Sequence, residues 1–257
     1  MGRAAALALL VVLVRAAQAT APPLATPVVV ELFTSEGCSS CPPADALLQK
    51  LAEAQPIAGV EIVPLSEHVD YWDRLGWKDR FSSAALTARQ QQYADRMNLA
   101  SIYTPQIVVD GRAELVGSDA DAARRTLERA RKAAHGTLRL TVDDRGARAV
   151  AVAVDVSELS QSRGDHADIV VAITEDGLRS NVTRGENHGR VLAHAAVVRS
   201  LGTIGEAVAD RASTAHAEIP IASDWQRAQL KVVAFVQERR SRAILAAATT
   251  RLQDAGR

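Results

Sequence analysis

Cysteine is nearly absent from this chain: Cys38 and Cys41 are the only two in 257 residues. A structural zinc site wants four ligands, usually two such pairs or a pair plus paired histidines, and no second pair exists. A bare structural zinc is therefore disfavoured. Charge of one sign is lacking too, with 30 basic and 30 acidic residues, a formal net charge of zero and no basic block. That balance argues against nucleic-acid and anionic-membrane partners. Internal repeats, low-complexity stretches, serine-nucleophile motifs, carboxylate pairs and phosphate loops are missing as well.

Long apolar runs are scarce, and the one at the N-terminus is short. Gly2-Arg3, the run Ala4 to Val14 and the small residues ending Ala17-Gln18-Ala19 fit a secretory signal over residues 1–20. The run is too short to span a bilayer. A soluble periplasmic or secreted protein is expected, without stable membrane insertion after cleavage, in a compartment where disulfides persist.

The remaining residues, roughly 235, suffice for one large or two ordinary domains. Helical spacing gives way to strand alternation near Ala134 to Thr137, which divides the chain into 27–135 and 137–250. In the first part Val28 to Phe33 suits a buried strand, and Ala44, Leu47, Leu48 and Leu51 mark one helix face behind Pro42-Pro43. Val60 to Leu65 gives a second strand and Ser82 to Leu99 a polar-faced helix. Asp110-Gly111 joins a hairpin, and Asp119 caps a last helix. The second part reads as short antiparallel strands: Leu138 to Val142, Ala149 to Val154, Ile169 to Thr174, Val191 to Val198, Ile219 to Ile221 and Lys231 to Val236. A β-sandwich-like domain is expected there.

Cys38-Ser39-Ser40-Cys41 thus falls between a buried strand and a helix. As a staple the pair would be weak, because a loop of about four residues removes only roughly 2 kcal/mol of unfolded-state entropy. As chemistry the placement makes sense, since a helix start favours a thiolate. Cys38, in the turn, is the expected solvent-accessible nucleophile. Cys41, one turn inside, is placed to resolve a mixed disulfide.

The order strand, Cys-x-x-Cys, helix, strand, helix and Thr-Pro before a hairpin resembles the thioredoxin superfamily. More narrowly, VELFTSEGCSSCPPAD, HVDYWDRLGWKD, YTPQIVVDGR and RGENHGR look like the exported family of unknown function 1223. The resemblance implies an α/β thioredoxin-like N-terminal domain followed by a mainly antiparallel β-rich one. It also implies that Thr104 and Pro105 occupy a cis-proline position that contacts substrate, whereas sequence alone favours a trans proline opening an edge strand. Glu31, seven residues before Cys38, stands near where thioredoxins keep a buried acid serving the resolving thiol; the alternative is an edge-strand carboxylate reaching solvent. Ser39-Ser40 replaces the Gly-Pro of ordinary thioredoxins, and no tryptophan precedes Cys38.

Aromatics are few, three each of Trp, Tyr and Phe, yet four lie between Tyr71 and Phe81. This loop could wall the cysteine pair and present His68, Asp70 or Trp72 to a substrate, or it could plug a bare sheet end, with Asp70 capping a turn. His166, His188, His194 and His216 show no metal-ligand spacing and are expected on the surface or in turns. Three functions compete: thiol-disulfide exchange on protein or small-molecule thiols and disulfides, copper handling by Cys38, Cys41 and His68, and a non-catalytic binding module. The motifs name no cofactor and no resident metal.

Overall fold

The structure is a computed structural model describing residues 25–133, 135–146, 148–160, 165–208 and 211–252. The expected signal segment, 1–20, lies outside the described residues. Strand β1 (Thr26–Thr34) leads through α1 (Pro42–Ala54) to β2 (Val60–His68), which pairs with β1 in parallel register from Thr26↔Val60 to Thr34↔His68. Both faces of β1 are covered, so its apolar run is continuous rather than alternating. Val28, Val30 and Leu32 pack toward α1, while Val29 and Phe33 enter cores on the opposite face. After α2 (Ala84–Met97) come β3 (Gln106–Val109), antiparallel to β1, and β4 (Ala113–Val116), then α3 (Ala120–Ala130). The caps follow the sequence: the Ser83 and Asp119 side chains accept from Ala85 N and Ala122 N.

Asp110 and Gly111 both take positive φ, 48° and 62°, as a two-residue hairpin turn with a right-handed twist demands. Only glycine fits the second place, because a Cβ there would sit 1.9 Å from the carbonyl oxygen of Arg242. The hairpin of the first half is thus held directly against the second half.

The second half supplies β5 (Thr137–Asp144), β6 (Ala149–Ser157), β7 (Ala167–Glu175), β8 (Leu178–Asn181) and β9 (Val191–His194). It continues with β10 (Val197–Ala207), β11 (Ser213–Pro220), β12 (Leu230–Glu238) and β13 (Ile244–Arg251). The run Val191 to Val198, read from sequence as one strand, breaks where Ala196 turns to φ 53° and becomes β9 and β10. One eight-stranded sheet, in the order β13-β12-β7-β10-β2-β1-β3-β4, crosses from one half to the other. The join is narrow, a single parallel pairing of Val197 with Ser66. A three-stranded sheet, β11-β6-β5, packs over β7, β12 and β13. Strand β6 shows why: Val150, Val152, Val154 and Val156 face that core while the residues between them face outward.

Helix α2 covers the seam between the halves. Leu86 packs with Val29 and Val63 from one half and Val170, Val233 and Phe235 from the other. Beneath it Arg89 is buried and donates to Glu31, to Gln237 at 2.9 Å and to Tyr93 at 3.0 Å, so one guanidinium bridges β1, α2 and β12.

Candidate active site

Cys38 and Cys41 form a disulfide at the head of α1, with their Cα atoms 5.4 Å apart. Cys41 is the N-cap residue and its carbonyl accepts from Ala44 N at 2.8 Å and Asp45 N at 3.1 Å. Pro42 and Pro43 fill the first two helical positions, where a missing N–H costs nothing. They also remove two of the amides that would otherwise face a thiolate at this helix start.

The expectation that Cys38 meets solvent is corrected. Ser39 and Ser40 are exposed, but Cys38 and Cys41 are both 0% accessible. The turn between β8 and β9, from the second half, is bonded to the cysteine turn. Asn187, itself fully buried, donates from Nδ2 to the carbonyls of Glu36 and Cys38, both at 2.9 Å. Ser39 N donates to the Glu186 carboxylate at 3.1 Å.

A buried polar cluster flanks the turn. His68 and Asp79 meet at 2.6 Å through Nδ1, and Asp79 also accepts from Glu36 N at 2.9 Å and Phe81 N at 2.9 Å. Glu36 meets His194 Nε2 at 3.2 Å and accepts from Trp77 Nε1 at 2.7 Å. The His68 and His194 rings stand edge to face, 4.9 Å apart, with Phe81 against both. Asp45, in the first turn of α1, accepts from Thr34 Oγ1 at 2.9 Å.

The charges are set by these neighbours. Burial alone would raise the Asp79 carboxyl, but the His68 imidazole holds it below its ordinary value. Burial would lower His68, and Asp79 first, then Asp45 and Glu36, raise it instead. Glu36 is likewise held down against burial, chiefly by His194. Asp45 is different: burial prevails over the pull of His194, His68 and Thr34 and pushes it up to about 6. Asp45 lies four residues after Cys41, on the same side of the helix. His68 Nε2, His194 Nδ1 and Asn187 Oδ1 are buried without hydrogen-bond partners.

The structure gathers some of the sequence-derived residues and separates others. Trp72 lies on the cysteine turn, its Cβ 3.1 Å from where a Cβ on Gly37 would be, and its Nε1 donates to Thr104 Oγ1 at 2.8 Å. The Thr104–Pro105 bond is cis, and Gly117 N donates to the Pro105 carbonyl at 2.9 Å. Asp70 is turned aside, accepting from Thr87 Oγ1 at 2.6 Å on α2.

Glu31 lies between Val30 and Leu32 and so faces away from α1, where Arg89 Nε at 2.6 Å and the Tyr93 hydroxyl at 2.5 Å engage it. Its strand is interior, so the edge-strand alternative is corrected. The expectation of a surface position for His194 is also corrected, because it is 3% exposed. Asn187 and His194 went unrecognised as site residues although the string RGENHGR contains the former. Neither carries a spacing signal toward Cys38, which lies 149 residues before Asn187. Among the described residues no group of three or more His, Cys, Asp and Glu side chains is arranged to hold a metal ion.

The molecule is a mixed-sheet protein with a Cys-x-x-Cys disulfide at its first helix and a loop from the chain's far half bonded to the cysteine turn. Residues 29–237 match the family described as Protein of unknown function (DUF1223), and the chain belongs to that family. Among solved structures it is similar to protein AGR_C_4864 from Agrobacterium tumefaciens, at 28% identity and a TM-score of 0.66, covering 88% of this chain and 94% of that one. It is also similar in fold to HBP35 of Porphyromonas gingivalis, at 16% identity and a TM-score of 0.70, covering 91% and 78% of the two chains. No curated protein matches it.

Proposed function

We propose that this is an exported, thioredoxin-like protein that exchanges thiols and disulfides through Cys38 and Cys41. One observation carries the reading: the chain's only two cysteines are joined at the head of α1, beside a buried pair of imidazoles, each held by a carboxylate. The connectivity supports a thioredoxin-like unit over 27–135, since β1, α1 and β2 make a parallel unit and β3 and β4 add antiparallel beyond β1 in the order β2-β1-β3-β4. The β-rich part, 137–250, acts as its brace and cover. Substrates are protein or small-molecule disulfides, met in the periplasm or outside the cell.

In the reduced protein the Cys38 thiolate attacks a substrate disulfide, forming a mixed disulfide and releasing one substrate thiolate, which takes a proton from solvent. Cys41 then gives its proton to solvent and attacks Cys38 Sγ as the thiolate. The Cys38–Cys41 bond re-forms and the second substrate thiolate leaves. Thr104, Pro105 and Trp72 line the approach to the turn, and His68 keeps Asp79 ionised beneath it.

Trapping tests the assignment. Cys41→Ser should retain partners from a periplasmic extract as mixed disulfides on Cys38, and Cys38→Ser should retain almost none. Equal trapping by the two variants would refute the unequal roles. Trapping by neither, with a copper ion bound by the reduced protein and lost on mutating either cysteine, would replace exchange with metal handling.

A further inference from the structure

The turn between β8 and β9 meets the cysteine turn through polar side chains. Of residues 182–190 only Val182 and Asn187 are buried; the rest are exposed. The turn is internally closed by Gly189 N to Val182 O at 2.8 Å and Val182 N to Arg190 O at 2.9 Å. Gly185 and Gly189 take φ of 74° and 80°, and Gly185 lies against Trp77. Its side-chain attachment to the cysteine turn consists of the two Asn187 bonds to Glu36 O and Cys38 O and the Glu186 bond to Ser39 N. Segments with few buried apolar groups and a handful of hydrogen bonds are those that open well below the global unfolding free energy.

Attack on a disulfide needs a thiolate or phosphine in line with the S–S bond, and neither cysteine presents any surface to solvent. Something must move first. Trp72, the other group over the turn, is anchored on its own half by Thr104 and packed beside Phe33 and Tyr93. Asn187 by contrast keeps its Oδ1 buried and unpartnered, a cost that the open form relieves when water reaches it.

We propose that residues 182–190 form a displaceable cover over the Cys38–Cys41 disulfide, latched by Asn187 and seconded by Glu186, so that every exchange event waits on the cover lifting. The second half of the chain thereby controls access to a reactive bond that lies wholly in the first. The inference takes its purpose from the exchange reading, but its test uses a chemical reductant, so it stands or falls whether or not any protein substrate is found.

The experiment measures reduction of the oxidised full chain by tris(2-carboxyethyl)phosphine under native conditions, by quenching and counting alkylated thiols. Asn187→Ala should be reduced about tenfold faster than the parent, since both side-chain bonds from Asn187 to the cysteine turn are lost from the closed form. Glu186→Ala, which alters an exposed side chain and leaves the fold intact, should be reduced about threefold faster. In the parent the rate should hardly respond to urea below the unfolding transition, because lifting a nine-residue turn exposes little surface. Rates for both variants within a factor of about two of the parent, or a parent rate that climbs with urea as global unfolding does, would overturn the cover.

Discussion

Replacing Asp45 with Asn should make the protein more stable at neutral and alkaline pH while leaving it unchanged in acid. The carboxyl is pushed from an ordinary 3.8 to about 6, first by burial, with His194, His68 and Thr34 pulling the other way. A raised carboxyl pKa means that the folded state binds the proton more tightly than the unfolded one. Stability therefore falls as pH climbs from the unfolded value through the folded one, and the deficit is complete above both. At 1.36 kcal/mol per pKa unit the deficit comes to roughly 3 kcal/mol. Asn has the same shape, carries no charge and can still accept from Thr34 Oγ1 through its carbonyl. Unfolding free energies from urea titrations should thus nearly coincide at about pH 3 and separate by roughly 3 kcal/mol at about pH 8, with the variant the more stable. A variant equal to or weaker than the parent at pH 8 would show that Asp45 is not held as a strained carboxylate.

Arg89 should behave in the opposite sense. Arg89→Met leaves Glu31 without the guanidinium bonded to it and Glu67, already pushed well above its ordinary range by burial and by Glu31, without the positive charge at 3.4 Å. Unfolding in urea should show a loss of about 3–5 kcal/mol, and a loss below about 1 kcal/mol would mean that the network adds nothing to the seam. His68 supplies a test with the same pH sign as Asp45 in a higher window. Its pKa is raised in the folded state, against burial, by Asp79 and then by Asp45 and Glu36, so its contribution is full below the ordinary imidazole value and fades as pH rises through the folded value. The parent should lose more stability over that window than His68→Ala, whose remaining loss comes from His135, also raised by Asp110; calorimetry across pH 5 to 9 would settle the comparison, and identical pH profiles would remove His68 from the cluster's electrostatics.

Local order in the sequence spoke clearly about this fold. The strand-turn-helix around the cysteines, the Asp110-Gly111 hairpin and the Asp119 cap each depend on residues within a few positions of one another, and all stand where the sequence put them. What stayed hidden depends on long separations. A lone Glu31 in an apolar strand announces a buried carboxylate, but which face it points to follows from where α1 and α2 pack, not from its neighbours in the chain. His194 and Asn187 carry no periodicity at all, because they reach the site from a two-stranded ribbon that the sequence reading did not resolve. Strand β13, Ile244–Arg251, was missed too: its centre, Ala246-Ala247-Ala248, has no β-branched side chain and no apolar alternation, and it pairs with β12.

The cover has a further consequence, in time rather than space. Cys38 and Cys41 are separated by three positions and can find each other as soon as that stretch is available, whereas the contact of Asn187 with Cys38 must close a loop of 149 residues. Short-range pairs form early and long-range ones late. The cysteine pair accordingly spends the early life of each molecule bare, open to whatever oxidants or thiols surround the nascent chain, and is shut in only when the ribbon of β8 and β9 has docked. Maturation of this protein is then a sequence of two commitments: the pair first takes on the redox state of its surroundings, and the completed fold afterwards seals that state in.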